Sequence, residues 1–256
     1  MSWLGKMIGG TIGFALGGPI GAVAGAAFGH TFVDKKEDEY LRSIPGGGFG
    51  RGLSSTEESQ LVFFTAAFSM LAKVSKADGR VSEKEIQAVE QFMVRDLQLD
   101  ASGQETAKRI FRQATSSPDT FDDFAGQFYS VFRGQPNILE LMMDVLMRVS
   151  AADGNISPKE EAMLLSAVGI FNMGEASYQR LKDRYLPKSD PSYAVLKLDK
   201  TASDEAVKKQ YRTLVREYHP DKIEAKGLPE EFIKFANDKF TQIQEAYETI
   251  RKERGF

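Results

Sequence analysis

The residues of this 256-residue chain that are best suited to a specific chemical role surround the second of its two histidines. His219, Pro220 and Asp221 follow a predicted basic helix that ends at Tyr218. The cations of that helix are Lys208, Lys209, Arg212 and Arg216. Long basic side chains attract an acidic surface, and Pro220 ends the helix and stiffens the turn, which lowers the ordering cost of docking. Such an arrangement would suit docking on an acidic partner.

The helix that carries these cations has boundary and core signals of its own. Ser203 can cap its first turn, where Asp204 and Glu205 suit the positive end of the helix dipole. Its apolar residues recur at helical spacing and mark one buried face: Val207, Tyr211, Leu214, Val215 and Tyr218. The alternative interpretation is a solvated basic face with a histidine that merely caps the helix end. The sequence on either side has to decide between the two.

Composition excludes several classes of function. The chain has no cysteine and only two histidines, His30 and His219, so disulfides, thiolate catalysis and clusters of histidine ligands are excluded within one chain. A net charge of −3 is far from the basic surface of a general nucleic-acid binder. No recognisable motif pairs a nucleophile with a histidine, and Gly46-Gly47-Gly48 fits no phosphate-binding motif. We therefore predict no enzyme activity, no cofactor, no metal site and no nucleic-acid partner.

From residue 187 to residue 256 the chain resembles a J domain, the module by which J-proteins engage DnaK-class chaperones. Ser192 to Leu196 matches its short first helix, Ala206 to Tyr218 its second and Phe240 to Ile250 its third. His219-Pro220-Asp221 matches the signature loop after the second helix. The resemblance implies that these three residues and the four cations named above bind a DnaK-class chaperone, and that the bound domain stimulates ATP hydrolysis by that partner.

The end of the chain also contains a longer apolar stripe at helical spacing. Its members are Phe232, Phe235, Ala236, Phe240, Ile243, Tyr247 and Ile250. We expect this whole stripe to pack antiparallel on the basic helix, which would place the signature loop at the tip of a helical hairpin.

The 27 residues from Met7 to Val33 contain no charged side chain. As one helix they would extend about 40 Å, enough to cross the ~30 Å hydrocarbon core of a bilayer with tilt. Glycine at every fourth position would line one side of that helix, a pattern that lets membrane helices approach closely. These glycines are Gly9, Gly13, Gly17, Gly21, Gly25 and Gly29. We predict a single-pass anchor at residues 1–33; the alternatives are a signal peptide and a disordered glycine-rich tail.

The basic residues around this segment predict its orientation. Lys35, Lys36, Arg42 and Arg51 follow it, whereas only Lys6 precedes it, so the positive-inside rule puts the C-terminal bulk in the cytoplasm. The same start resembles that of DjlA-type J-proteins, which carry a glycine-rich N-terminal span and a C-terminal J domain. This resemblance implies attachment to the bacterial inner membrane and a possible homodimer through the glycine ladder.

An internal repeat marks the middle of the chain, where residues 74–85 align with residues 149–160. Each copy has an Asp-Gly turn followed by a capping box, formed by Ser82 with Glu85 and by Ser157 with Glu160. The turn resembles the second half of a calcium-binding EF-hand loop. The early ligand positions of such a loop are occupied by residues without suitable oxygens, which argues against calcium.

The repeat, in a segment with helical periodicity throughout, resembles the TerB-like domain that DjlA-type proteins carry between span and J domain. That resemblance implies a helical bundle with an unidentified partner and no known reaction. A phenylalanine run at helical spacing is expected to lie in its core. This run is Phe121, Phe124, Phe128 and Phe132.

Together these patterns predict an all-α protein of four segments. They are a glycine-rich transmembrane anchor at 1–33, a flexible linker at 34–55, a TerB-like helical domain at 56–186 and a J domain at 187–256, with a short connection from Tyr185 to Pro191. The leading hypothesis is a membrane-anchored J-domain co-chaperone. The alternative is a stress-related scaffold that acts mainly through the TerB-like domain.

Overall fold

The computed structural model describes residues 17–29, 55–186, 190–224 and 227–256, and these residues form helices and turns without a strand. The helices are α1 (Gly18–Gly29), α2 (Ser55–Ser75), α3 (Glu83–Gln91), α4 (Ala101–Ser116), α5 (Phe121–Phe132), α6 (Pro136–Ser150), α7 (Pro158–Ile170), α8 (Glu175–Tyr185), α9 (Pro191–Val195), α10 (Asp204–Glu217), α11 (Pro220–Glu224) and α12 (Glu230–Arg254). A π-helical turn at Phe92–Asp96 continues α3. The all-α prediction is confirmed.

The predicted helix starts are confirmed in both copies of the repeat. Ser82 accepts a hydrogen bond from the backbone of Glu85, whose side chain accepts one from the backbone of Ser82. Ser157 and Glu160 form the same capping box at the start of α7. Because each box satisfies two backbone N–H groups that have no partner within the helix, it fixes where the helix begins.

Helix α2 forms the centre of the main core. All of its residues from Leu61 to Ala72 are buried, so no face of this part of the helix is exposed to solvent. Phe63 makes edge contacts with Phe128 of α5 and Phe232 of α12, at ring-centroid distances of 5.6 and 4.7 Å. The predicted phenylalanine run of α5 is buried, with at most 4% exposure, so its assignment to the core is confirmed.

Helix α12 is shared between two hydrophobic cores. Phe232, Phe235 and Ala236 lie in the main core with α2, whereas Ile243 and Ile250 pack in the smaller core of the J domain. The expectation that the whole stripe packs on the basic helix is therefore wrong for its first part. The reason is length: α12 has 25 residues and α10 has 14, so α12 extends beyond α10 by about 16 Å.

A buried ionic cluster joins the bundle to the J domain. The fully buried Asp144 of α6 pairs with Arg184 of α8 at 2.8 Å and with Lys239 of α12 at 3.1 Å. The hydroxyl of Tyr185 donates to the same carboxylate at 2.9 Å. The expected short connection therefore does not start at Tyr185, because Tyr185 is the last residue of α8 and binds Asp144.

The charge of Asp144 is stabilised by these neighbours. Burial alone would raise its pKa, but Lys239, Arg184 and the Tyr185 hydroxyl outweigh burial and lower the pKa to about 2. Burial lowers the pKa of Lys239 to about 8, against the attraction of Asp144. Removal of the one carboxylate would leave two buried cations without a counter-charge, which is strongly unfavourable.

We therefore predict that Asp144→Asn lowers the free energy of unfolding by about 3 kcal/mol, since Arg184 and Lys239 then lose their partner. Urea unfolding of the full chain measures this. The matched control is Asp238→Asn on α12, which removes an exposed i,i+4 pair with Lys234 and should change the free energy by no more than about 0.5 kcal/mol. Equal effects of the two substitutions would contradict the account.

Candidate partner-docking face

The His219-Pro220-Asp221 turn lies between two buried anchors. Tyr218, at the end of α10, is 1% exposed, and Ile223 of α11 is 0% exposed. Pro220 starts the short helix α11, a position that suits a residue without an N–H group. The predicted exposed loop is thus partly helical: its three residues form the corner between two helices, and the anchors on both sides fix its position.

His219 and Asp221 are the exposed side chains of this corner, with 46% and 87% of the side chain accessible. The backbone N–H of Asp221 donates to His219 Nδ1 at 3.3 Å, and the Asp221 carboxylate lies 3.7 Å from the same nitrogen. The imidazole also makes an edge contact with the ring of Phe240 at 6.0 Å. The local contacts therefore hold the imidazole while leaving almost half of it to solvent.

The predicted basic side chains all lie on α10. Lys209, Arg212 and Arg216 are exposed, whereas Lys208 is half-buried with its Nζ 4.4 Å from the ring of Phe256. Within the described part of the chain, none of the four forms a salt bridge, and Arg212 donates to the backbone oxygen of Lys208. Because unpaired cations keep their charge available to a partner, this face of α10 is suited to docking on an acidic surface.

The contacts between the J domain and the bundle leave that face open. They involve Lys197, which pairs with Glu140 of α6, and the backbone oxygen of Val195, which accepts from Arg184 at 3.4 Å. Arg254 holds the other end of the J domain, where it donates to the backbone oxygens of Ala202 and Lys200. The exposed turn and its neighbouring cations are thus held without being covered.

Several of these positioning residues were not predicted from the sequence. Glu140, Ile223 and Arg254 carry no motif of their own, and their partners are distant in sequence. Asp144 did leave a signal, because it is an acid within the apolar pattern of α6. An acid on a helical face that is otherwise apolar indicates a buried ion pair.

The two repeat turns face each other across a cleft of about 330 Å³. Lys159 of the second copy pairs with Asp78 of the first at 3.2 Å. Burial raises the pKa of Glu160, and the nearby carboxylates of Glu85 and Asp153 add to that rise. In the described ranges, no group of three or more His, Cys, Asp or Glu side chains is arranged to hold a metal ion.

The glycine ladder is only partly described. Gly9 and Gly13 lie outside the described residues, while Gly17 is exposed, Gly21 is buried and Gly25 is half-buried. Among the helices that the structure describes, none is both long enough and apolar enough to span a bilayer. Dimerisation through the ladder stays a prediction.

Comparison with known proteins agrees with these assignments. Family models described as the co-chaperone DjlA transmembrane domain, the tellurite resistance protein TerB and the DnaJ domain match residues 1–53, 64–183 and 191–254. Several relatives called co-chaperone protein DjlA match over nearly their full length. That of Coxiella burnetii is 33% identical and that of Vibrio cholerae 34%; each alignment covers 100% of this chain and 99% of the relative.

No solved structure was found to match the chain. The chain nevertheless belongs to the family of DjlA co-chaperones, since relatives above 30% identity align with all of it. The resemblance to that family, with its TerB-like domain and J domain, is thus confirmed.

Tyr218 provides a test of how the turn is anchored. Burial and the carboxylates of Glu140 and Asp144 raise its pKa well above the ordinary value, so the hydroxyl stays protonated. This hydroxyl has no hydrogen-bond partner among the described residues. We predict that Tyr218→Phe raises the free energy of unfolding by about 1 kcal/mol, whereas Tyr218→Ala lowers it by about 3 kcal/mol because a cavity remains. Destabilisation by Tyr218→Phe in thermal unfolding would contradict this anchoring.

Proposed function

We propose that this chain is a membrane-anchored co-chaperone whose J domain stimulates ATP hydrolysis by a cytoplasmic DnaK-class chaperone. The observation that carries the proposal is the exposed corner of His219, Pro220 and Asp221, which is fixed between buried Tyr218 and Ile223. A rigid corner loses little conformational freedom on binding, so more of the contact energy remains for the partner.

The four cations of α10 provide the long-range part of docking. The helix before the corner carries Lys208, Lys209, Arg212 and Arg216, and none of these four takes part in a salt bridge among the described residues. They would steer an acidic surface toward the corner and set the orientation of the complex. The corner would then make the short-range contacts. The J domain contributes no reacting group, and ATP hydrolysis takes place on the partner.

Membrane attachment is the second part of the proposal. It is supported by the match of residues 1–53 to the DjlA transmembrane domain and by the uncharged run from Met7 to Val33. The basic residues that follow this run favour an inner-membrane protein with its C-terminal bulk in the cytoplasm. The small-residue face of the glycine ladder suits pairing of two spans into a homodimer.

The corner is tested by the substitution His219→Gln. The full chain is used because the first part of α12 packs in the main core, so the J domain cannot be removed without disturbing the bundle. We expect the substitution to abolish the stimulation of ATP hydrolysis by a bacterial DnaK-class chaperone, measured in single-turnover experiments. The exposed position should leave the unfolding transition unchanged. Retained stimulation by a folded His219→Gln protein would contradict the proposal.

The cationic face is tested by Arg212→Glu. We expect stimulation to fall about tenfold or more at low salt, and the deficit relative to wild type to shrink as salt screens the charges. The matched control is Arg80→Glu, the same charge reversal at an exposed position on the first repeat turn. Equal losses from both reversals would mean that net charge, not this face, sets the interaction.

A further inference from the structure

Helix α1 is seated in a groove of the helical bundle. This groove, formed by α2, α4 and α5, is named the α1 groove here. The side chains that α1 buries in the main core are Ile20, Val23, Ala24, Ala27 and Phe28, all with at most 3% exposure. On the opposite face, Ala22 and Ala26 are exposed. One face of the helix is thus covered by the bundle and the other faces solvent.

A polar contact fixes the start of α1 in the α1 groove. The side chain of Gln127 on α5 accepts from the backbone N–H of Ile20 at 2.8 Å and donates to the backbone oxygen of Gly17 at 2.6 Å. The first N–H groups of a helix have no partner within the helix, so this amide satisfies one of them. Gly18 has φ +72°, and a Cβ there would lie 2.8 Å from Gln127 Oε1. The seat therefore requires glycine at this position.

The same residues lie in the middle of the segment that the family comparison assigns to the membrane. A crossing helix needs about 20 apolar residues, and any such stretch within Met7 to Val33 includes most of residues 18–29. A residue cannot lie in the groove and in the bilayer at the same time. Both sites offer apolar surroundings to the same side chains, so the difference in free energy between them is far smaller than the cost of exposing them to water.

We propose that the α1 groove is a binding site for residues 18–29 that competes with the lipid bilayer. The chain then has two forms, one with this segment docked in the groove and one with it inserted in the membrane. Insertion empties the groove and exposes apolar side chains that are shaped for a helix of small residues. This inference rests on the proposed membrane attachment, but it does not depend on the stimulation of a DnaK-class chaperone.

The absence of native cysteine allows a direct test on the full chain. Four single variants place a thiol on the two faces of α1: Ala22→Cys and Ala26→Cys on the exposed face, Ala24→Cys and Ala27→Cys on the buried face. Their reaction with a water-soluble maleimide is followed without lipid and with vesicles of phosphatidylethanolamine and phosphatidylglycerol. Bound and free protein are separated by flotation.

Without vesicles we expect the two buried-face thiols to react more slowly than the two exposed-face thiols, by a factor of about ten or more. In the vesicle-bound fraction all four should be protected, because the bilayer covers both faces. Adding Gln127→Ala should reduce the difference in thiol reaction rate between the two faces and increase the fraction of protein bound to vesicles. The matched control is Ser130→Ala, also on α5, where the hydroxyl donates to the backbone oxygen of Gln127. It should change neither the reaction rates nor the bound fraction.

Three results would overturn the proposal. Equally fast labelling of all four thiols without vesicles would mean that the segment does not dock. Equally slow labelling of all four thiols without vesicles would mean that the outer face is covered as well, by a second copy, so that the segment is not the singly docked helix proposed. If vesicle-bound protein kept Ala22→Cys and Ala26→Cys reactive, the segment would stay in the groove on the membrane, and insertion, not docking, would be the part that failed.

Discussion

A single buried carboxylate determines how the two ends of this fold are joined. Asp144 has no exposure and is surrounded by Arg184, Lys239 and the hydroxyl of Tyr185. These partners come from two helices, Arg184 and Tyr185 from α8 and Lys239 from α12, so the charges balance only when α8 and α12 both lie against α6. Since an unpaired buried charge is far more costly than an exposed one, this cluster selects one arrangement of the J domain on the bundle.

The shared helix α12 extends this coupling into the hydrophobic cores. Its first part packs with Phe63 and Phe92 of the bundle, and its second part packs with the basic helix α10. The J domain has its own small core but shares helix α12 with the main core. Its exposed corner therefore has a fixed direction relative to the bundle. The interdomain contacts use the sides of the J domain that do not carry the cations, which explains how a firmly attached domain can keep its docking face open.

Local features could be predicted from the sequence because they depend on neighbouring residues. The capping boxes, the start of α10 at Ser203 and its buried face all follow from spacing within one helix. Features that depend on distant residues could not. Nothing near Lys239 in the sequence indicates that it pairs with Asp144, and nothing near Gln127 indicates that it binds the start of α1. The apolar stripe of α12 was predicted correctly as a packing face, but its two partners could not be distinguished by period alone.

The most direct measurement of the docking face is amide hydrogen exchange on the full chain with and without an ATP-bound DnaK-class chaperone. We expect slower exchange at the end of α10 and in α11, from Arg212 to Ile223, and unchanged exchange in the first half of α12, which lies in the main core. Slower exchange confined to the bundle, with Arg212 to Ile223 unchanged, would contradict docking through this face.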